Sequence, residues 1–431
     1  MRPGRRGVNR EDRFMRSDVK LSTTFSTTQN AHQVGLLVTL EGDTPVRRAP
    51  INVALVLDRS GSMSGEPLAA ARAAAARFAG FLRSEDRLSI VAFDSHVRTV
   101  FGPGPGGDPA AEQAVAAIQP GGSTNLSGGW LKGLQLARAG LVEGTNRVVL
   151  LTDGQANEGI VDPGQLVGMA AGGSAADRVS TTCIGFGAHF NEDLLEPMAR
   201  AGGGNYWFVE SNDQMAGIFE SEIEGLVALA AQNVEVEVTL THPRAAGVTF
   251  LQSYPVETTP AGGWRVVLGD LYATSPRPLG LRFHVEDVAA LGPVQVAQVR
   301  IEADVVTEQG IEHRVVMMPV MANLDGADHV EPVVEQTFLR FHAAKAREEA
   351  IRLADEGDLG AAARTLRDAT QACMAYASEP GIAEEVEDLR AQAVRLEARS
   401  YSAMDRKYDS ARAMAARDMK LGYVDKMRRS R

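Results

Sequence analysis

The chain has 431 residues, of which 44% are hydrophobic and 23% charged, and its formal net charge is −11. This length exceeds one ordinary core, so we expect several domains. The composition is that of a soluble globular protein, which excludes a largely disordered chain. The acidity argues against non-specific nucleic-acid binding. Its two cysteines, Cys183 and Cys373, lack disulfide or metal-site spacing, which favours a reducing compartment.

The two ends of the chain are basic. Residues 1–18 are charged and no apolar segment follows them, so we do not expect a secretory signal. No apolar stretch approaches the roughly 18–20 residues that a membrane span needs. We therefore expect a cytoplasmic protein, with a basic N-terminal tail at 1–18 and a basic, partly disordered tail at 401–431.

Residues 50–231 alternate short apolar runs with longer amphipathic runs rich in Ala, Leu and Gly. This pattern is typical of a buried, mostly parallel sheet covered by helices, and it predicts a doubly wound, Rossmann-like α/β domain. Predicted helices include 66–82, 191–201 and a closing helix at 211–231. The predicted strands are 51–58, 87–94, 97–101, 147–152, 179–186 and 205–209.

Residues 232–325 have a different pattern, with period-two strands separated by Gly and Pro turns, which predicts a β-sandwich. Residues 19–49 alternate in the same way around a polar turn at 28–32, which predicts a hairpin. Because a lone hairpin is marginal in water, we expect it to join the sandwich. The α/β domain would then be inserted between strands of one β domain. A hairpin packed elsewhere would give the same sequence.

Helical spacing of Ala and Leu replaces the strands in residues 331–400. The break at 356–358 predicts a helix end followed by a cap, as in an antiparallel helical hairpin of tetratricopeptide-like kind. No 34-residue repeat continues through three copies. The predicted fold is therefore an α/β domain inserted in or next to a β-sandwich, followed by a C-terminal α-helical region.

Polar residues in three separate segments of the α/β domain are candidate metal ligands. Asp58, Ser60 and Ser62 directly follow a predicted buried strand, Asp153 ends another, and Thr124 precedes a predicted helix. The carboxyl edge of a parallel sheet is where such sheets bind ligands. Hydroxyl and carboxylate oxygens are the donors that Mg²⁺ prefers. Together these features predict a Mg²⁺-type ion site, with Mn²⁺ or Ca²⁺ as alternatives.

The segments DRSGS at 58–62, GGSTNL at 121–126 and LLTDG at 150–154 resemble, in this order and spacing, the metal-ion-dependent adhesion site of von Willebrand factor type A (vWA) domains. The resemblance covers roughly residues 50–230, and 183–211 resembles the bacterial members. The layout of flanking β segments is similar to that of inter-alpha-trypsin-inhibitor heavy chains and their bacterial relatives.

The resemblance implies a role for each of the five residues. Ser60 and Ser62 would ligate the ion directly, Thr124 would do so in the ligand-ready state, and Asp58 and Asp153 would act mainly through waters. A Glu or Asp of a protein partner would complete the coordination. For bacterial relatives the resemblance implies assembly or chaperone-like roles, often beside AAA-type ATPases, and in the family the closing helix can couple to the metal site.

Two other functions remain possible on the sequence, a metal-assisted hydrolase and a scaffold whose ion is purely structural. We expect a non-enzymatic protein, because neither His96 nor His189 has a partner at ligand spacing and nothing near Glu158 supplies a general base at a fixed spacing. Cys183 is expected to be a buried small hydrophobe. The Gly-rich stretch at 102–107 lacks the ending of a phosphate loop and is expected to be a surface turn.

Overall fold

The computed structural model describes residues 15–417, except 29, 45–47, 253, 274, 287–291 and 308–309. It divides into two compact units. The α/β unit consists of the described residues within 45–229 and 306–311, and the sandwich unit consists of those within 15–44, 230–305 and 312–417. The α/β unit is thus inserted into the chain of the sandwich unit.

A six-stranded sheet forms the centre of the α/β unit. Its strands are β3 (Ile51–Asp58), β4 (Arg87–Phe93), β5 (Val97–Pro105), β6 (Thr145–Thr152), β7 (Ser180–Phe186) and β8 (Gly203–Val209). They lie in the order β5-β4-β3-β6-β7-β8, and all neighbouring pairs are parallel except β4 with β5. Every residue of β3, β6 and β7 is buried, as expected for central strands covered on both faces.

Helices cover this sheet. They are α1 (Glu66–Phe81), α2 (Pro109–Ala116), α3 (Leu126–Ala139), α4 (Pro163–Asp177), α5 (Glu192–Ala201) and α6 (Asn212–Val227). Helix α3 lies close to the sheet because Gly133 has no side chain. A Cβ at this position would come within 2.4 Å of Val56 Cγ2. The indole of Trp130 is fully buried on the same helix and donates to Thr181 Oγ1 at 3.2 Å.

Two predictions in this unit were wrong in detail. The closing helix was expected at 211–231, but α6 ends at Val227 and the next strand begins at Leu229. Apolar residues in this stretch suit either a helix or a buried strand, so periodicity does not fix the boundary. The expected surface turn at 102–107 is also wrong, because β5 continues to Pro105 as the edge strand paired with β4.

Two antiparallel sheets form the sandwich unit. Their strands are β1 (Met15–Ser26), β2 (Ala31–Gly42), β9 (Leu229–Leu240), β10 (Ala245–Phe250), β11 (Val256–Thr258), β12 (Trp264–Tyr272), β13 (Arg277–Glu286), β14 (Gly292–Thr307) and β15 (Gly310–Leu324). The first sheet has the order β1-β2-β13-β10 and the second has the order β11-β12-β9-β14-β15. The predicted hairpin joins the first sheet, where β2 pairs with β13 along its length.

Alternate residues of these strands build one core between the two sheets. It contains Leu36 of β2, Leu281 of β13, Val236 of β9 and Ile301 of β14, all fully buried. Period-two alternation, as the sequence predicts, therefore places one face of each sheet in this core. Strand β1 begins at Met15, inside the stretch expected to be a tail, and residues 1–14 lie outside the described residues.

Four helices follow the sandwich, α7 (Pro332–Asp355), α8 (Leu359–Cys373), α9 (Pro380–Glu397) and α10 (Ala403–Arg417). Phe338 and Phe341 of α7 pack on the first sheet at Gly35 and Gly280, where an added Cβ would lie 2.8 Å from a Phe ring carbon. A tail was expected from 401, but α10 occupies 403–417, and residues 418–431 lie outside the described part of the chain.

Hydrophobic periodicity did not predict α10, because this helix buries charged residues. Arg412 is 4% exposed and reaches Glu385 at 3.2 Å, and Asp409 is 3% exposed with Arg395 at 3.4 Å. Ion pairs thus occupy positions where a pattern search looks for apolar side chains. Among the helices that the structure describes, none is long and apolar enough to cross a membrane.

Candidate functional site

Three loops meet at the carboxyl edge of the parallel sheet in the α/β unit. Asp58 is the last residue of β3, and the chain then makes a short 3₁₀ turn at Gly61–Met63 before α1. Asp153 follows the last residue of β6. Thr124 precedes Asn125, which caps α3 by accepting the N–H of Gly128 at 2.9 Å. Each candidate therefore stands where a regular element begins or ends.

Hydrogen bonds fix Asp58 beneath the first loop. Its Oδ1 accepts the backbone N–H of Ser60 at 2.8 Å, and its Oδ2 accepts the hydroxyl of Thr152 at 2.5 Å. Both oxygens are thus oriented by neighbours, and the side chain is fully buried. Thr152 also accepts the N–H of Gly154 through Oγ1 at 3.1 Å, which links the end of β6 to the same network.

A chain of short contacts connects the remaining residues. The hydroxyls of Ser60 and Ser62 lie 3.2 Å apart, and that of Ser62 donates to Asp153 Oδ1 at 2.8 Å. Thr124 lies beside them, since an added Cβ at Gly154 would be 3.1 Å from Thr124 Oγ1. The structure therefore joins Asp58, Ser60, Ser62 and Asp153 in one network and places Thr124 beside it, next to Gly154.

Asp94, which directly follows β4, holds the first two loops together. Its Oδ2 accepts the N–H of Gly122 at 3.0 Å and pairs with Arg59 at 2.8 Å. Its Oδ1 accepts the N–H of His96 at 2.7 Å. Gly121 fits only without a side chain, because a Cβ there would lie 1.7 Å from Asp94 Oδ2.

Backbone hydrogen bonds complete this junction. The N–H of Gly61 donates to the carbonyl of Gly122 at 2.9 Å, and the N–H of Gly121 donates to the carbonyl of Arg59 at 2.7 Å. The carbonyl of Thr124 accepts the N–H groups of Asn157 and Glu158 at 3.1 and 3.2 Å. The positions of the candidate ligands are thus set by the loops themselves.

The electrostatics of the cluster fit a bound cation. Burial raises the pKa of Asp58 to about 6, against the hydrogen bonds from Thr152 and Ser60, and the nearby charge of Asp153 raises it further. Burial also raises the pKa of Asp153, against its hydrogen bond from Ser62. In the described part of the chain, neither carboxylate forms an ion pair with Lys or Arg.

The donor chemistry fits a hard divalent ion such as Mg²⁺. The cluster offers three hydroxyls and two carboxylates, all oxygen donors of the kind that Mg²⁺ and Ca²⁺ prefer. Within the described residues there is no group of three or more His, Cys, Asp or Glu side chains that could hold a metal. A site rich in hydroxyls and poor in carboxylates is consistent with that result.

The residues that the sequence did not favour as metal ligands or catalytic groups lie outside this cluster of ligands. His96 is 79% exposed, and His189 is exposed and near Asp153. Glu158 accepts the hydroxyl of Ser95 at 3.2 Å at the margin of the site. Cys183 is fully buried in β7, and burial raises its pKa, as expected for a small hydrophobe.

Sequence reasoning missed Asp94 and Thr152, which position the ligands without being predicted among them. A signal for Asp94 was present, since it ends a predicted strand at the same sheet edge as Asp58 and Asp153. Thr152 stands next to a predicted ligand. Neither could be assigned a partner from the sequence, because their hydrogen bonds reach residues 28 and 94 positions away.

The family comparison agrees with this geometry. Residues 52–221 match the model of the von Willebrand factor type A domain. This chain contains a vWA domain. The predicted resemblance to vWA domains is therefore confirmed, and the α/β unit contains the matched residues. The predicted similarity to inter-alpha-trypsin-inhibitor heavy chains is confirmed by a sequence match to heavy chain H1.

The matches to two relatives cover very different shares of those proteins. The chain is 27% identical over 303 residues to the uncharacterized Synechocystis sp. protein sll0103, covering 67% of this chain and 69% of that one. Over 210 residues it is 29% identical to the Bos taurus inter-alpha-trypsin inhibitor heavy chain H1. That match covers 45% of this chain and only 22% of the heavy chain.

A solved structure shares the architecture beyond the vWA domain. The von Willebrand factor type A protein from Catenulispora acidiphila aligns with a TM-score of 0.68 at 19% identity. The alignment covers 88% of this chain and 90% of that chain. The predicted fold class, a doubly wound vWA domain with a β-sandwich and C-terminal helices, is thereby confirmed.

Proposed function

We propose that this chain is a non-enzymatic, cytoplasmic protein-binding module whose vWA domain recognises an acidic residue of a protein partner through a Mg²⁺-type ion. Ser60, Ser62 and Thr124 would hold the ion through their hydroxyls, and Asp58 and Asp153 would act mainly through waters. The ion supplies a positive charge and open coordination positions, with Mn²⁺ or Ca²⁺ as alternatives. The partner would belong to a macromolecular assembly, with an AAA-type ATPase system as one candidate.

One observation carries this proposal, the composition of the cluster at the sheet edge. Only two carboxylates stand among three hydroxyls, and in the described residues no basic side chain pairs with either carboxylate. A divalent ion held mainly by neutral hydroxyls keeps much of its positive charge, so it attracts a carboxylate from outside. A partner Glu or Asp suits that ion better than a neutral group.

The experiment is a comparative affinity capture with three full-length proteins. Wild type, the double variant Ser60→Ala/Ser62→Ala and the matched control Ser64→Ala are each incubated with cell extract in Mg²⁺. Ser64 is an exposed serine of the same loop and is not among the predicted ligands. We expect specific partners with wild type and Ser64→Ala, and their loss with the double variant or with EDTA. Identical partner sets from all three proteins would contradict the proposal.

A further inference from the structure

A cleft of about 310 Å³ opens in the sandwich unit, between the sheet strands β10 and β13 and the helices α7 and α8. It consists entirely of residues of this unit and contains none of the predicted metal ligands. Its volume lies at the small end of the range for small-molecule sites, which runs from about 300 to 1,000 Å³.

Aromatic side chains form the floor of the cleft. Phe338 and Phe341 of α7 are 3% and 1% exposed, and their ring centroids lie 6.4 Å apart. Leu251, which directly follows β10, packs against the same cluster and also lines the cleft. Because Gly35 and Gly280 let the α7 rings sit close against the sheet, these rings are fixed in place. The floor is therefore a preformed apolar surface.

Two basic side chains line the cleft beside this floor. Arg282 of β13 places its guanidinium 5.2 Å from the centroid of the Phe338 ring, and Lys345 lies on the α7 face that lines the cleft. Lys345 forms no hydrogen bond or ion pair with any described residue. Arg282 has one acidic neighbour, Glu335 at 3.8 Å. In a chain of net charge −11, this is a local concentration of cations.

His342 of α7 also lines the cleft. Burial lowers its pKa, and the charges of Arg282 and Lys345 lower it further. The imidazole is therefore mainly neutral at pH 7 and offers a hydrogen bond without adding charge. Like Lys345, it makes no hydrogen bond or ion pair with the rest of the described chain. Three polar groups thus line the cleft, and two of them, the exposed His342 and Lys345, make no hydrogen bond or ion pair within the described residues.

We propose that this cleft binds a small organic carboxylate that carries an aromatic or branched apolar body. The body would pack on Phe338, Phe341 and Leu251, and the carboxylate would lie between Arg282 and Lys345. Charge-assisted hydrogen bonds from Arg and Lys to a carboxylate are about twice as strong as neutral ones. This site is independent of the vWA metal site and adds a second ligand to the protein.

The test is calorimetric titration of the full chain with 3-phenylpropionate. Two analogues serve as ligand controls, the neutral amide 3-phenylpropionamide and phenyl phosphate. We expect saturable binding of the carboxylate and at least tenfold weaker binding of the amide. Equal affinity for the carboxylate and the amide, or no saturable binding of the carboxylate, would overturn the proposal. Tighter binding of phenyl phosphate would overturn its choice of carboxylate.

Three variants locate the binding. Lys345→Met removes the charge and keeps the volume, and Ala372→Trp fills the cleft from an exposed position of α8. Lys132→Met is the matched control, since Lys132 lies in the α/β unit and bonds Gln135 at 3.0 Å. We expect at least tenfold weaker binding for the first two and no change for the third, with unchanged melting temperatures. Wild-type affinity in both cleft variants would refute the site.

Discussion

Nη1 of Arg147 donates to Oε1 of Glu222 at 2.8 Å, and both side chains are fully buried in the vWA domain. Arg147 belongs to β6 and Glu222 to the closing helix α6. The carboxylate of Glu222 also accepts from Thr182 at 2.7 Å, Asn205 at 2.7 Å and Trp207 at 2.8 Å. One acidic side chain therefore connects α6 to three neighbouring strands, β6, β7 and β8.

Removing the Glu222 carboxylate should strongly destabilise the vWA domain. Glu222→Ala leaves the guanidinium of Arg147 buried without its partner, a change that costs about 3–5 kcal/mol. Urea denaturation of the full chain should show a lower midpoint for the transition of this domain. The control is Glu220→Ala, since Glu220 lies on the same helix, is 47% exposed and, among the residues that the structure describes, pairs with exposed Arg77. We expect the control to change stability by less than about 1 kcal/mol; equal losses in both variants would contradict this assignment.

The same carboxylate should make the domain sensitive to acid. Burial opposes ionisation of Glu222, but Arg147 and the hydrogen bonds from Asn205 and Thr182 outweigh it, so its pKa lies below the usual value. A lowered folded-state pKa contributes stability that is present above the unfolded pKa, about 4.3, and is lost as pH falls through the folded pKa. The stability advantage of wild type over Glu222→Gln should therefore shrink between pH 6 and pH 3. An advantage that stays constant with pH would argue against this linkage.

Asp94 should control metal affinity without being a ligand. Burial disfavours its ionisation, but the N–H groups of His96 and Gly122 and the charge of Arg59 prevail and hold its pKa below the usual value. Asp94→Ala should free the loop before Thr124 and weaken metal binding about 10–100-fold, the range for residues that orient metal ligands. Asp108→Ala is the control, because Asp108 caps α2 by accepting the Ala110 N–H at 2.9 Å. Unchanged metal affinity in Asp94→Ala would contradict the prediction that Asp94 positions the metal ligands.

Metal removal should lower stability only moderately. The loops are already joined by hydrogen bonds between protein atoms, such as Thr152 to Asp58 and Gly61 to Gly122. A bound ion adds about 2.7 kcal/mol at a free concentration 100 times its dissociation constant. Melting in Mg²⁺ and in EDTA should therefore differ by several degrees, with cooperative unfolding in both. Loss of the folded state in EDTA would favour an ion of purely structural role.

The parts of the fold that follow simple periodicity could be predicted from the sequence. The strands β3, β6 and β7 are unbroken apolar runs, and the sandwich strands alternate with a period of two. The positions of Asp58 and Asp153 follow from these runs, because polar residues after parallel strands meet at one sheet edge. Thr124 was a candidate because it precedes a predicted helix, and the structure places it just before α3.

What the sequence did not predict depends on buried polar partners. Glu222 lies on a helix that is otherwise amphipathic, and nothing local indicates that its four partners come from three strands. The same holds for α10, where Arg412 and Asp409 are buried in ion pairs. Long-range hydrogen bonds have no spacing rule, so such residues become recognisable only in three dimensions.

The central claim, a divalent ion at the hydroxyl-rich site, is tested most directly by electron paramagnetic resonance of Mn²⁺ titrated into the full chain. Mn²⁺ is an oxygen-preferring ion that reports its own binding, so no partner is needed. We predict one specific site per chain in wild type and in Ser64→Ala, competed by Mg²⁺, and at least tenfold weaker binding in Ser60→Ala/Ser62→Ala. Equal Mn²⁺ binding by all three proteins would contradict the account.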